Sequence, residues 1–158
     1  MPQDSPPLIQ IAYPEPGFQL RTLEGGRMIW DQVRKKYVRL TPEEWVRQNF
    51  LHYLISVKGY PASLMAIEKE LRVGTLRKRG DIVVYQRALP WMIVECKAPD
   101  IEINEKTLRQ ILAYNVGLPA RYLILTNGRH TYGIRRKGAT AAFVDILPEY
   151  DSPGDLKV

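Results

Sequence analysis

RGDIVVYQRALPWMIVECKAP, residues 79–99, predicts two β-strands that are joined by a short turn. Residues 82–85 and 91–96 are rich in β-branched and aromatic side chains, which favour strands. The polar, proline-containing residues 86–90 separate the two runs. The unbroken apolar run 91–94 is typical of a central strand that is buried on both faces.

Two carboxylates and an ammonium gather at the end of this predicted hairpin. If the hairpin is centred near Ala88, Asp81 lies opposite Glu95, with Cβ atoms roughly 5 Å apart. Glu95 and Lys97 are two residues apart on one strand and therefore share a face. Two carboxylates this close repel each other unless a cation lies between them, and oxygen ligands suit Mg²⁺. A nearby amine can orient a metal-bound water or stabilise charge on a phosphoryl group, so the set supports metal-assisted phosphodiester hydrolysis.

A plainer interpretation of these residues is a hairpin with a charged end. Asp81 would then cap a turn, and Glu95 would pair with Lys97 as an ion pair. Charges at the end of a buried strand are not an ordinary solvated face, which favours the functional interpretation. Periodicity alone leaves both interpretations open.

The spacing of Asp81 and Glu95-Cys-Lys97 resembles the PD-(D/E)xK nuclease signature, with Gly80 in place of the usual proline. Several longer phrases resemble the N-terminal nuclease domain of type I restriction enzyme R subunits, and most closely the small stand-alone proteins grouped with it. These phrases are TPEEWVRQ (41–48), KRGDIVVY (78–85), VECKAP (94–99), QILAY (110–114) and LTNG (125–128). The likeness extends from about residue 28 to about residue 144.

This resemblance implies an α/β fold, a restriction-endonuclease-like mixed sheet of about four to five strands flanked by helices. It implies a nuclease, in the first place an endonuclease acting on DNA, with Mg²⁺ or Mn²⁺ as cofactor. Asp81 and Glu95 would bind the metal, together with the backbone carbonyl of Cys96, and Lys97 would activate or position water. The alternative function is a non-catalytic nucleic-acid-binding or assembly module on the same fold.

Three further residues are site candidates by the same resemblance. Gln110 and Tyr114 are four apart on a predicted helix and so share a face, which in the resembling families points toward the catalytic strand. The alternative is that Tyr114 packs and Gln110 is exposed. Glu44 could complete the acidic ligand set, or it could form a capping box with Thr41, and the sequence leaves both roles open.

Basic residues exceed acidic ones by 23 to 17, which gives a formal charge of +6. Such an excess permits nucleic-acid binding without requiring it. Two basic runs are candidates for phosphate contacts, with solvated surface as the alternative: Lys35 and Lys36, and Arg77, Lys78 and Arg79. DNA is the expected partner, and a homodimer or a larger restriction or repair assembly is compatible with the sequence. The sequence contains neither a helicase motor nor an ATP site, so no ATP is expected.

Length and composition indicate one domain over residues 18–147, preceded by a flexible proline-rich arm, 1–17, and followed by a polar tail, 148–158. The single cysteine excludes an intramolecular disulfide and fits a reducing cytoplasm. No apolar run reaches membrane-spanning length, so no membrane partner is expected.

Local signals also predict the remaining elements. Helix 104–117 precedes strand 121–126, so a βαβ crossover from the strand of Glu95 is expected. The other predicted elements are strands 18–23 and 27–31 around Gly25-Gly26, a helix over 41–57, a helix-to-strand passage over 62–73, and strands 129–134 and 142–147.

Overall fold

A computed structural model of the chain describes residues 5–115 and 117–150, except for the side chains of Leu76, Leu112, Tyr114 and Asn115. A π-helical turn, Tyr53–Val57, prolongs the first helix, and a short 3₁₀ turn, Ala62–Leu64, precedes the fourth strand. The elements in chain order are β1 (Leu20–Leu23), β2 (Gly26–Asp31), β3 (Lys36–Arg39), α1 (Pro42–His52), β4 (Met65–Val73), β5 (Leu76–Gln86), β6 (Leu89–Cys96), α2 (Glu105–Asn115), β7 (Tyr122–Thr126), β8 (Thr131–Lys137) and β9 (Thr140–Val144).

The strands form two sheets. Strands β1, β2 and β3 make a small antiparallel sheet, and β4 to β9 make a six-stranded sheet in sequence order. Within the large sheet β6 and β7 are parallel, and the other neighbouring pairs are antiparallel. The predicted α/β fold and the βαβ crossover through α2 are therefore confirmed. The predicted count of four to five strands is too low, because β4 and β9 both join the large sheet.

The central hairpin has the register that the sequence predicts. Ile82 pairs with Val94, which is the register that would set Asp81 opposite Glu95, but the ladder ends at this pair. The turn itself is centred half a residue earlier, because Arg87 and Ala88 both have positive φ and form a tight two-residue connection. A shift of register after Val84 absorbs the difference.

Strand β6 is buried on both faces, as its apolar run predicts. Met92 and Val94 belong to the core on the α1 side, where they share a cluster with Phe50. Ile93 packs with Leu123 on the opposite face. Burying each such side chain contributes about 1.5–3 kcal/mol, so the strand that carries Glu95 is firmly held between two apolar layers.

Both helices begin at side-chain caps. The Thr41 hydroxyl accepts a hydrogen bond from the Glu44 amide at 3.0 Å, and Pro42 occupies the first turn of α1. The Asn104 side chain accepts from the Thr107 amide at 2.9 Å at the start of α2. No helix in the described part of the chain combines the length and the apolar character that crossing a membrane requires.

The chain before β1 packs against the large sheet, although the sequence predicts a loosely packed arm there. The Ile9 amide donates to the Thr131 carbonyl at 2.8 Å, and the Ile9 side chain is buried. Ile11 and Tyr13 also pack against the core. Apolar residues at positions 9, 11 and 13 alternate, so one face of an extended segment can bury all three. Residues 1–4 of the predicted arm lie outside the described residues.

The start of the predicted polar tail also packs against the domain. Tyr150 stacks edge-on against Trp91 with ring centroids 5.4 Å apart, and its hydroxyl donates to the Tyr85 carbonyl at 2.9 Å. Residues 151–158 lie outside the described residues.

Candidate active site

Asp81 lies where strands β5 and β6 stop pairing through their backbones. The ladder between them ends at Ile82 and Val94, and beyond it Oδ2 of Asp81 accepts a hydrogen bond from the Cys96 amide at 2.7 Å. Gly80 precedes Asp81 in a crowded position, since a Cβ there would come within 2.7 Å of a Val83 methyl. The carboxylate therefore replaces a main-chain partner and is fixed at the end of β6.

The second oxygen of Asp81 contacts a buried arginine from α1. Oδ1 accepts from Arg47 Nη2 at 3.1 Å, and the Asp81 side chain is 18% exposed. Arg47 also donates to Glu44 at 2.9 Å and to Glu43 at 3.2 Å. The negative charge of Asp81 is thus partly compensated by Arg47, and part of the side chain remains exposed to solvent.

Further charges extend from Arg47 into what we call the acidic network, made up of Asp31, Glu44, Glu68, Asp81, Arg34 and Arg47. Arg34 donates to Glu44 at 2.7 Å and to Asp31 at 2.7 Å. Glu68 lies 3.5 Å from Arg47 Nη1 and has a positive φ in β4. Four carboxylates against two guanidiniums leave two negative charges in excess, and exposed Arg79 at 2.8 Å from Glu68 offsets one of them. The network joins the small sheet, α1 and the large sheet.

Asp31 makes this network sensitive to acid. Burial raises the pKa of Asp31, but hydrogen bonds from Arg34 and Gln48 outweigh burial and hold the pKa below its ordinary value of 3.8. A carboxyl with a lowered pKa in the folded state adds stability above that ordinary value and loses it as the pH falls further. We expect Asp31→Asn to be about 2 kcal/mol less stable than the parent protein at pH 7. The difference in free energy of unfolding between the two proteins, measured by urea denaturation, should narrow below about pH 4. A difference that stays constant with pH would rule out this role of Asp31.

Glu95 faces the α2 side of the sheet. It is half-buried and lines a small internal cavity together with Leu108 and Ile111. Lys78 of β5 is buried close enough for the two charges to interact: burial lowers the pKa of Lys78, and the negative charge of Glu95 opposes that shift. The buried lysine beside Glu95 is a feature that the sequence analysis missed.

Lys97 directly follows β6. Its amide donates to the Thr126 carbonyl at 2.8 Å, which continues the contact between β6 and β7 past Cys96. The side chain is half-buried, and within the described ranges its ammonium forms no ion pair. The backbone of Lys97 is therefore fixed, and its ammonium is not paired with a carboxylate of any described residue.

The structure describes the side chain of only one of the two helix candidates. Gln110 is exposed on α2 beside Lys106 and Ala113, whereas Ile111 is the neighbour that faces the cavity of Glu95. The side chain of Tyr114 lies outside the described residues. Support of the site by Gln110 and Tyr114 remains a prediction.

Glu44 and Cys96 can be assessed from their contacts. Thr41 caps the Glu44 amide, but the Glu44 carboxylate accepts from Arg34, Arg47 and Gln48 instead of closing a capping box. The Cys96 thiol is buried, and burial raises its pKa well above the ordinary value, with nearby Asp81 adding to the shift. The thiol therefore stays protonated, and only the backbone carbonyl of Cys96 is left as a ligand candidate.

The candidate basic residues for phosphate contact differ in the solvent exposure of their side chains. Lys35 and Lys36 are exposed between β2 and β3, and the side chains of Arg77 and Arg79 are 67% and 65% exposed on β5. Lys78 is buried at 4% exposure, which does not fit the predicted phosphate contact. The reason is strand alternation, because Lys78 faces inward between two outward-facing arginines.

A Mg²⁺ ion can be tested against these donors. Among the described residues, no three His, Cys, Asp or Glu side chains gather as a metal site. Mg²⁺ usually keeps several waters and takes only one or two carboxylates, so this finding is compatible with a site of two carboxylates and a carbonyl. Each Asp81 oxygen accepts one hydrogen bond and has a further lone pair. In donor chemistry Asp81, Glu95 and the Cys96 carbonyl suit such an ion, but Asp81 contacts Arg47 of α1 while Glu95 faces the α2 side, so their convergence on one ion remains a prediction. The Glu44 carboxylate already accepts hydrogen bonds from Arg34, Arg47 and Gln48.

The sequence analysis missed Arg34 and Arg47, the two arginines of the acidic network. One signal was available for Arg47: it lies three residues before Phe50 and seven before Leu54, at a spacing that belongs to the buried face of a helix. A charge at such a position indicates a buried partner.

Comparison with known proteins adds a family to this geometry. The family model described as the type I restriction enzyme R protein N terminus matches residues 42–148, which include α1, Asp81, Glu95 and Lys97. A crystal structure of a DUF820 protein from Anabaena variabilis ATCC 29413, described as a candidate nuclease, aligns with a TM-score of 0.46 at 12% identity. The alignment covers 84% of this chain and 79% of that one. No curated protein matches the sequence.

Proposed function

Because the chain belongs to the type I restriction enzyme R protein N-terminus family, we propose that it is a divalent-metal-dependent nuclease that cleaves phosphodiester bonds of DNA internally. The supporting observation is Asp81, which is tied to the Cys96 amide at 2.7 Å at the end of a hairpin. The last pair of that hairpin's ladder, Ile82 with Val94, directly adjoins Asp81 and Glu95, and Lys97 follows Glu95 two residues later.

Asp81, Glu95 and the backbone carbonyl of Cys96 would hold Mg²⁺ or Mn²⁺. When bound, such an ion supplies a more acidic water and neutralises charge on the phosphate. The Cys96 amide and Arg47 fix the direction of the Asp81 carboxylate. Lys97, which has no competing ion pair in the described part of the chain, orients the attacking water or stabilises the negative charge that develops on the phosphoryl oxygens.

The exposed basic residues of β5 and of the β2–β3 turn would hold the DNA backbone. Arg77 and Arg79 are exposed on the strand that carries Asp81, and they would contact backbone phosphates near the scissile bond. Contacts of this kind position the nucleic acid without reading its sequence.

Cleavage assays on supercoiled, linear and branched DNA test this proposal. We expect cutting with Mg²⁺ or Mn²⁺ that EDTA stops, and a loss of about 10²-fold or more in Asp81→Asn and in Glu95→Gln. Glu105→Gln, which changes an exposed carboxylate at the start of α2, is the matched control and should cut normally. Cutting that survives in both site variants would refute the assignment.

One observation favours the alternative, a non-catalytic nucleic-acid-binding module. Both Asp81 oxygens already accept hydrogen bonds, from Arg47 and from the Cys96 amide. On this alternative the Asp81 carboxylate only stabilises the fold, by linking β5 to α1 and to the end of β6. Salt-sensitive DNA binding without cleavage under any metal condition would support it.

A further inference from the structure

A groove of about 370 Å³ lies between α1, the segment after β6 and the turn between β7 and β8. Pro99, two residues after Lys97, forms part of one wall. Asn127 and Arg129 form part of another wall, and Trp45 lies on the α1 side. The hydrogen bond from the Lys97 amide to the Thr126 carbonyl joins the two loops at their base. The groove therefore adjoins, through Pro99, the segment that follows Lys97.

The turn between β7 and β8 is held firmly. The Asn127 side chain donates to the Ile101 carbonyl at 2.8 Å and accepts from the amides of Arg129 and His130 at 2.9 and 2.8 Å. Gly128 has a φ of 87°, and a Cβ on it would lie 3.5 Å from Val46. The wall that carries Arg129 is thus fixed against α1 before any ligand arrives.

The lining combines an aromatic surface with positive charge. Trp45 is 36% exposed although it packs edge-on against Phe18, with ring centroids 5.4 Å apart. Arg129 is exposed. Among the described lining residues none is acidic. Aromatic faces together with cations are the chemistry by which proteins hold unpaired nucleotides, and the volume falls in the range of ligand pockets.

We propose that this groove binds an unpaired base of the nucleic acid that is cut at Lys97, with Trp45 stacking on the base and Arg129 contacting the adjoining phosphate. This inference rests on the proposed nuclease function and specifies its substrate class. A base inside a duplex is stacked on both sides and cannot present its face to Trp45. The preferred substrate is accordingly single-stranded, frayed or unpaired next to the cleaved bond.

Fluorescence anisotropy with labelled oligonucleotides in EDTA measures binding without cleavage. We expect the parent protein to bind a single-stranded oligonucleotide more tightly than a blunt duplex or an oligonucleotide of abasic sites. Trp45→Ala should weaken single-strand binding roughly 10- to 100-fold and leave abasic binding unchanged, and Trp45→Phe should keep most of the affinity. Arg129→Ala should lower the salt dependence of binding by about one phosphate contact. Phe143→Ala, an exposed aromatic on β9, is the control.

Two results would overturn the inference: unchanged single-strand binding in Trp45→Ala, or equal affinity of the parent protein for intact and abasic strands. Circular dichroism and the behaviour of Trp45→Phe show whether a loss reflects misfolding. The outcomes also separate this inference from the proposed function. If metal-dependent cutting of duplex DNA is unchanged in Trp45→Ala, the proposed nuclease function stands and base binding in the groove is refuted. If binding depends on the base and on Trp45 but no cutting is seen, base binding in the groove stands and the nuclease function is refuted.

Discussion

Replacing Lys97 with alanine is expected to lower the rate of metal-dependent DNA cleavage by roughly 10²- to 10³-fold. The ammonium would stabilise charge that develops only as the phosphodiester bond breaks, so kcat should fall far more than DNA affinity. The fold should be little affected, because the backbone of Lys97 holds its place through the Thr126 carbonyl and its side chain forms no ion pair with any described residue. Single-turnover cleavage beside a binding titration measures both quantities.

Lys137→Ala is the matched control for this substitution, since Lys137 is an exposed lysine at the end of β8. It should cleave at the parent rate. If Lys97→Ala retains the parent rate while Lys78→Met loses it, the buried lysine beside Glu95 supplies the catalytic charge and the assignment to Lys97 is wrong.

Replacing Arg47 with methionine is expected to destabilise the protein by about 3–5 kcal/mol. Arg47 is 3% exposed and contacts Glu43, Glu44 and Asp81 within 3.2 Å. Without it, carboxylates that are packed against α1 lose a buried counter-charge, and methionine fills the space without restoring that charge. Urea denaturation at pH 7 measures the loss, and the loss should shrink in acid as the carboxylates become protonated.

Arg109→Met provides the comparison, because Arg109 pairs with Glu105 one turn away on the exposed face of α2. An exposed pair of this kind contributes only a few tenths of a kcal/mol. Equal and small effects of the two substitutions would mean that the acidic network is held together by packing alone.

The hairpin, the crossover and the start of α1 could be predicted because each is encoded by neighbouring residues. β-branched runs mark β5 and β6, the spacing of polar and apolar residues marks α2, and Thr41 with Pro42 marks the start of α1. The pairing of Ile82 with Val94, which adjoins Asp81 and Glu95, followed from the positions of the two strands alone.

The acidic network could not be predicted in the same way. Arg34 joins Asp31 to Glu44, and Glu68 of β4 joins Arg47, and no spacing rule connects these residues. Lys78 was predicted to contact phosphate because it lies in a basic run next to Asp81, but its strand places it inward. Glu44 was predicted to bind metal or close a capping box, and no sequence signal indicated that its carboxylate bridges two arginines, which only the tertiary structure brings together.

A crystal of the protein soaked in Mn²⁺ and measured for anomalous scattering tests the central claim most directly. The account predicts one strong peak bounded by the carboxylates of Asp81 and Glu95, roughly 2 Å from an oxygen of each, with Glu44 still bound to Arg34. A peak among Glu44 and Glu68 without Glu95, or no peak between Asp81 and Glu95 at a saturating Mn²⁺ concentration, would contradict it.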